Sequence, residues 1–439
     1  MERVILVGLA RNPKDRWRKV DSLFELEALT KTAGGEVVGK FLQIKEKPSS
    51  RTLLGEGKII ELRQLCQKHQ CQLLIFDEIL SPSQIRNIKQ ETGVDVIDRR
   101  ALILDIFALH ARTAEAALQV EMAQLEYRLS MLTGKGITLS RLGGGIGTRG
   151  PGEKKLEEDR RRIRARISTL KKSLKEIDKE RRMQRENRSN FFRISLCGYT
   201  NAGKSTLLNK LTNAEVKVAP ELFSTLDPKT KVLEIEKNIK VLLTDTVGFI
   251  RDLPPQLLAS FKVTLDEIKE SDLILHIIDA TSEDLEEKIK VVEKTLEEIG
   301  ALKSIEDATI VNGQRKEGPR HFEKSIVRVF NKTDILFERF SLERLKKNYP
   351  TSVFISALTG EGIKDLLRKI KEEMRPLIKT QQFTIPVSRG DILSRIYEIG
   401  HVLSFTEVNG KYRLMVRGYA HSLNRLRKEI KRSSEYPKI

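Results

Sequence analysis

The chain has 439 residues, too many for one ordinary core, so two to four domains are expected. With 39% hydrophobic and 32% charged residues it is not a disordered chain, and no apolar run approaches the roughly 20 residues that span a bilayer. The net charge of +19 comes from 80 Lys and Arg against 61 Asp and Glu, and it asks for a polyanionic partner, nucleic acid foremost.

The opening MERVILVGLA is apolar but too short for a signal peptide, lacks a cleavage site and reads as a strand. Residues 1–111 then alternate strand-like and helix-like segments. Leu23 to Ala33 has helical spacing and stops at Gly34-Gly35. EVVGKFLQI and LLIFDE are strand-like, GKIIELRQLCQKH is amphipathic, SPSQIRNIKQETG begins like a capped helix, and VDVIDR is a further strand. The pattern predicts an N-terminal α/β domain with a parallel sheet. Cys66, Cys71 and Cys197 have no metal-like spacing and are too few for a disulfide framework, which favours a reducing cytoplasm.

Residues 112–190 read as a helical hairpin with a glycine-rich tip. Its first arm, 112–133, carries Leu118, Leu125, Leu129 and Leu132 near one face. The tip is RLGGGIGTRGPG at 141–152. The second arm, 153–188, is highly charged but keeps a stripe of Ile163, Ile167, Leu170, Leu174 and Ile177. From Glu153 to Arg188 there are 15 Lys and Arg against 8 Asp and Glu. Residues 191–377 are the clearest α/β domain. Residues 378–439 form a small basic α+β domain, in which SFTEVNG and KYRLMVRGYA flank an Asn-Gly turn and a basic helix follows at 421–432. From Val408 to Ile439 the count is 9 against 2, so two short stretches hold most of the excess charge.

The chemistry lies in the third part. A strand, Phe191 to Cys197, leads into Gly198, Tyr199, Thr200, Asn201, Ala202, Gly203, Lys204, Ser205 and Thr206, which satisfies GxxxxGK[ST]. Glycines there let backbone N–H groups converge on phosphates at a helix N-terminus. Lys204 is expected to reach the β- and γ-phosphates and the Ser205 hydroxyl to bind magnesium. In VLLTDTVG, Asp245 can hold magnesium through water and the Gly248 N–H can meet the γ-phosphate. Between them Thr225, in LFSTLDP, is the candidate switch threonine that ligates magnesium while GTP is bound. IVRVFNKTD supplies Asn331, Lys332 and Asp334: the last reads guanine, the first braces the loop, and the lysine stem covers the base. Backbone N–H groups in Ser356, Ala357 and Leu358 are expected to meet the guanine carbonyl. These elements together predict a P-loop GTPase that converts GTP and water to GDP and phosphate. Phe249 stands where a water-orienting glutamine often sits, either facing the core or shaping the site, so slow intrinsic hydrolysis and acceleration by a partner are expected.

The chain resembles the HflX family of translational GTPases, in the TrmE-Era-like branch of the Ras-type fold. RLGGGIGTRGPGEKKLEEDRRRIRARI at 141–167 is the most specific match. GYTNAGKSTLLN, LFSTLDP, DTVGFIRDLP and LLGEGKIIEL also match. The resemblance implies a monomer that binds the large ribosomal subunit and its rRNA near the peptidyl transferase centre. It implies splitting or rescue of stalled ribosomes under stress. It also implies that Asn201 helps hold a potassium ion beside the phosphates, although the asparagine could equally satisfy its own loop, and that Phe249 is the family's apolar replacement for glutamine. Arg141, Gly143, Gly144, Gly145, Arg149, Arg160, Arg161, Arg162, Arg164 and Arg166 are the RNA-binding candidates. Some of these arginines could instead solvate the helix or pair with Glu157, Glu158 and Asp159. The segment 301–324 is longer than the expected link and reads as a surface insertion. The rivals are a large-subunit assembly GTPase, an RNA-modification enzyme with a GTPase switch, and a membrane-associated signalling GTPase, for which no lipidation motif is present. No second nucleotide site can be located in the N-terminal part.

Overall fold

The computed structural model describes residues 1–133, 151–186, 191–212, 222–223, 228–251, 262–302, 325–336 and 339–435. Thr225, Arg141, Gly143, Gly144, Gly145, Arg149 and most of the 301–324 segment lie outside the described residues. The chain divides into two compact units. One holds residues 1–180 together with Leu222 and Phe223, and the other holds nearly all that remains. The hairpin, as far as Glu180, falls in the same compact unit as residues 1–111.

In the first unit the order is β1 (Arg3–Ala10), α1 (Arg16–Thr32), β2 (Glu36–Ile44), α2 (Glu56–Lys68), β3 (Leu73–Phe76), α3 (Pro82–Thr92), β4 (Asp95–Asp98) and α4 (Arg99–His110). The strands form a parallel sheet in the order β2-β1-β3-β4. β1 is buried along almost its whole length, as its unbroken apolar run requires. α3 starts on a Ser81–Gln84 capping box with Pro82 at its first turn and stops at Gly93, φ 74°. α4 was not foreseen. Its run ALILDIFALH follows VDVID after only Arg99 and Arg100, and the Asp98 carboxylate ends the strand by capping the helix at the Ala101 N–H, 3.1 Å away.

The expected hairpin arms are α5 (Ala114–Thr133) and α6 (Pro151–Glu186). Met122 packs with Ile167 and Leu170, and Leu118, Leu125, Leu129, Ile163 and Leu174 surround them. Two arginines expected to face RNA are engaged here instead. The Arg166 guanidinium forks onto Glu121 at 2.8 and 2.9 Å, and the half-buried Arg160 donates to the Leu132 carbonyl at 2.7 Å. The free carbonyls at the end of α5 need a donor, and the second arm supplies it. Arg161, Arg162 and Arg164 stay exposed.

The second unit runs β5 (Phe192–Gly198), α7 (Lys204–Thr212), β6 (Lys229–Glu236), β7 (Ile239–Asp245), α8 (Lys262–Glu270), β8 (Leu273–Asp279), α9 (Leu285–Glu298), β9 (Ser325–Asn331), α10 (Arg339–Asn348), β10 (Val353–Phe354) and α11 (Ile363–Met374). Its sheet order is β10-β9-β8-β5-β7-β6, parallel except for the β6–β7 pair. The order reverses between β8 and β5, where ligands of open α/β sheets bind at the carboxyl ends of the strands. The chain ends with β11 (Ile378–Pro386), α12 (Gly390–Ile399), β12 (Gly400–Val408), β13 (Lys411–Tyr419) and α13 (Ala420–Glu435). Its antiparallel sheet has the order β11-β13-β12. Asn409 and Gly410, φ 54° and 69°, make the expected tight turn. Among the described residues no helix is long and apolar enough to cross a membrane.

A buried ion network closes the carboxyl edge of the N-terminal sheet. Arg99 donates to Asp77 at 2.8 Å and to Glu25, and Lys19 reaches Asp77 at 2.6 Å and Glu78 at 2.8 Å. Burial alone would raise the Asp77 pKa, but Arg99 and Lys19 outweigh it and hold the carboxyl below its ordinary value. A depressed carboxyl stabilises the fold above its unfolded pKa, about 3.9, and that contribution is lost as pH falls through the lower folded value. Asp77→Asn is expected to cost about 3 kcal/mol, because it leaves buried Arg99 with Glu25 alone and removes one acid from Lys19, and to weaken the acid dependence of stability. Urea unfolding of both proteins between pH 7 and pH 3 checks this; equal midpoints would refute it.

Candidate functional site

The glycine loop follows β5 and runs into α7. A Cβ on Gly198 would lie 2.2 Å from the Ile277 carbonyl oxygen, and one on Gly203, φ 89°, would lie 2.2 Å from Asn331 Nδ2. The loop therefore needs glycine at both positions to lie against β8 and β9. Lys204 is buried, and its Nζ donates to the carbonyls of Gly198 at 3.2 Å and Tyr199 at 2.9 Å. Burial pulls its pKa below the ordinary lysine value, while Asp245 and Cys197 oppose the shift. Ser205 Oγ donates to Asp245 Oδ2 at 2.5 Å. A hydroxyl beside a carboxylate is a hard-oxygen donor pair that suits Mg²⁺.

β7 delivers Asp245, and the chain beyond it returns to the glycine loop. The Phe249 N–H donates to the Gly198 carbonyl at 3.1 Å, and the Thr200 N–H donates to the Phe249 carbonyl at 2.9 Å. A Cβ on Gly248 would meet Thr200 at 2.8 Å and Lys204 Nζ at 3.1 Å. The Phe249 side chain is 4% exposed. It faces the core, as one of the two alternatives expects, its backbone is fixed beside the loop, and it offers no polar group to water. Tyr199, also buried, accepts the Arg251 N–H at 2.8 Å through its hydroxyl. Asn201 is exposed at φ 59°, and its amide makes no hydrogen bond to a described residue.

Asn331 joins two loops. Its Nδ2 donates to the Ala202 carbonyl and its Oδ1 accepts the Ala357 N–H, each at 2.9 Å. Lys332 has a left-handed backbone, φ 67°, and its Nζ pairs with Asp279 Oδ2 at 2.6 Å. Asp279, at the end of β8, was missed in the sequence, where only a strand ending in Asp hinted at it. Asp334 sits exposed on a short turn of 3₁₀ helix and pairs with no described residue, so its carboxylate is available to a base. The donors expected of Ser356 and Ala357 need correction. The Ser356 N–H is used by the Glu361 carbonyl at 3.0 Å and the Ala357 N–H by Asn331. The N–H of Leu358, a residue 74% exposed, has no acceptor among the described residues and is the remaining donor of that loop. Among those residues no cluster of His, Cys, Asp or Glu could hold a metal by itself.

Family models match most of the chain: "GTP-binding GTPase N-terminal" at 20–108, "GTP-binding GTPase Middle Region" at 110–188, "50S ribosome-binding GTPase" at 193–312 and "HflX C-terminal domain" at 342–428. The GTPase HflX of Caldanaerobacter subterraneus subsp. tengcongensis is 43% identical over 92% of this chain and 87% of its own length. That of Escherichia coli is 38% identical over 91% of this chain and 90% of its own. The chain belongs to the HflX family of GTPases. It is a GTP-hydrolysing enzyme, as its glycine loop and NKTD segment imply. Among solved structures, a GTP-binding protein of Sulfolobus solfataricus in complex with GDP covers 86% of this chain and 99% of its own, at 26% identity and a TM-score of 0.42.

The geometry separates two roles within NKTD. Asn331→Ala is expected to weaken all nucleotides at least tenfold, because both loops lose their brace. Asp334→Asn is expected to lose GTP but retain xanthosine triphosphate, since only base reading changes. Titrations with both nucleotides test the pair; GTP binding by Asp334→Asn at the original affinity would remove the assignment.

Proposed function

We propose that this HflX-family GTPase binds the large ribosomal subunit in its GTP state and splits or rescues stalled ribosomes. The match of residues 193–312 to a family model described as a 50S ribosome-binding GTPase carries the reading. The hairpin supports it, with Arg161, Arg162 and Arg164 exposed along α6 and free to meet phosphates. Coupling to nucleotide needs a segment that differs between the two states. The stretch before Thr225 suits that task. Phe223 is 3% exposed and meets Phe107 edge to face, ring centroids 4.7 Å apart, and the Leu222 N–H donates to Thr32 Oγ1 at 3.2 Å. A γ-phosphate contact at Thr225 would pull on an anchor two residues away.

In this reading Ser205 and Asp245 hold Mg²⁺, which neutralises charge on the β- and γ-phosphate oxygens when bound. Lys204 trades its two loop carbonyls for phosphate oxygens. The Gly248 N–H lies beside Lys204 and senses the γ-phosphate. With Phe249 buried, no side chain at that position orients water, which leaves room for a cation held by Asn201. Potassium is the proposed cation.

Turnover is expected to rise when potassium replaces sodium at constant ionic strength, and Asn201→Ala is expected to abolish the difference. Phosphate release in the two salts measures this, and equal wild-type rates exclude the ion.

Pelleting with large subunits should be tighter with a GTP analogue than with GDP. Arg161→Ala/Arg162→Ala/Arg164→Ala should weaken it and flatten its salt dependence without changing nucleotide affinity. Sedimentation of intact ribosomes with the protein and the GTP analogue separates splitting from the assembly alternative, in which only free large subunits bind. Nucleotide-independent pelleting would overturn the proposal.

A further inference from the structure

The C-terminal sheet carries its two helices on one side. There Phe383, Leu414 and Val416 pack against Ile396, Leu423 and Leu426. The other side carries no helix; its Ile378 and Tyr419 end packs on the core of the six-stranded sheet, and the rest is open. Register places Thr384, Arg413 and Thr406 in one row across the three strands, and Gln382, Met415 and Ser404 in the next. All six are exposed, and Lys411 continues the central strand. No carboxylate shares this parity: Glu407 lies opposite Tyr412, on the helical side. Arg417 also lies on the bare side, but Glu236 sits 3.5 Å from it. Lys411 and Arg413 pair with no described acid, whereas on the helical side Arg395 and Arg425 pair with Glu429.

We propose that this open sheet face docks on the backbone of double-helical RNA. The inference deepens the ribosome reading and rests on it. Alternate residues of a strand lie roughly 7 Å apart, so Lys411 and Arg413 present two charges in line along the central strand. Flanking threonine and serine hydroxyls can donate to and accept from phosphates and 2′-hydroxyls. Single-stranded RNA is held largely by stacking on aromatic rings. This face has none. Phe405 and Tyr412 have the opposite parity and pack on each other at 4.9 Å. Without stacking platforms, the surface suits a partner read through shape, phosphates and 2′-hydroxyls, which is the manner in which duplex RNA is recognised. An acidic protein would satisfy the cations but leave the row of hydroxyls without a purpose.

Fluorescence anisotropy of the full chain with a GTP analogue tests this against a labelled RNA hairpin duplex, an unpaired RNA of equal length and a DNA duplex. The RNA duplex is expected to bind tightest. Lys411→Glu/Arg413→Glu is expected to weaken it at least tenfold. Lys411→Gln/Arg413→Gln is expected to reduce the slope of log affinity against log salt by about 2. Thr384→Glu provides a second, single-site variant, and unchanged nucleotide affinity and basal turnover in each confirm folding. The inference is overturned by an unchanged affinity and slope in these variants, by preference for unpaired RNA, or by equal binding of DNA. It is also overturned if the wild-type chain binds no duplex RNA, which would favour an acidic protein partner. If the wild type pellets with large subunits in a GTP-dependent manner and the variants pellet equally well, this inference alone fails. If wild-type pelleting ignores the nucleotide, the ribosome reading fails first.

Discussion

The nucleotide site depends on one buried amide. Asn331, at the end of β9, ties the glycine loop to the loop after β10 through two hydrogen bonds. Such a bond gains only about 1 kcal/mol when made, but leaving a buried partner unsatisfied costs more. The constraint spreads outward. Gly203 must lack a side chain because the amide occupies that space, and the Ala357 N–H is withdrawn from any ligand because the same amide accepts it. The left-handed backbone at Lys332 then turns the chain so that Asp334 projects outward while Lys332 returns to Asp279. The glycine loop and the loop after β10 are thus held at a fixed separation, which would reduce the ordering entropy paid by a ligand that spans both.

A second constraint acts on the glycine loop from the DTVGF stretch. The backbone of Phe249 is hydrogen-bonded to Gly198 and Thr200, so the DTVGF stretch starts out attached to the glycine loop. Further along, Arg251 enters an ion pair with Asp284, and Tyr199 accepts its N–H. By contrast Phe223 finds its burial in the first unit. The two stretches are therefore held within different units: Phe249 and Arg251 in the second, Phe223 in the first.

Much of the enzyme was legible because its motifs encode backbone geometry over short spans. GxxxxGKS, DTVG and NKTD each state a turn and the side chains that line it. The hairpin was legible for a related reason, since a stripe at 3–4 spacing survives in a very charged helix. What the sequence hid was competition between partners. Nothing local to Arg160 or Arg166 reveals that Leu132 and Glu121, on the other arm, claim them. Nothing local to Ala357 reveals that its N–H is spent on Asn331. α4 escaped notice because only Arg99 and Arg100 part its apolar run from a strand, and an apolar run alone does not distinguish helix from strand. The open face of the C-terminal sheet was hidden by parity: KYRLMVRGY shows alternation, but only the register with its neighbours shows which residues share the bare side.

The ion network at the edge of the N-terminal sheet has a consequence for how this part of the chain can evolve. Arg99, Asp77 and Lys19 draw their tolerance of burial from one another, and Glu25 and Ser22 complete the set. Loss of any one charge leaves another stranded in a low-dielectric interior, so single steps away from this arrangement pass through a poorly folded intermediate. Replacement by an apolar cluster is energetically open but requires several codons to change almost at once. Positions 19, 25, 77 and 99 should consequently drift in concert among descendants of this sequence. Their joint identity is then a better marker of lineage than the variable helix surfaces around them.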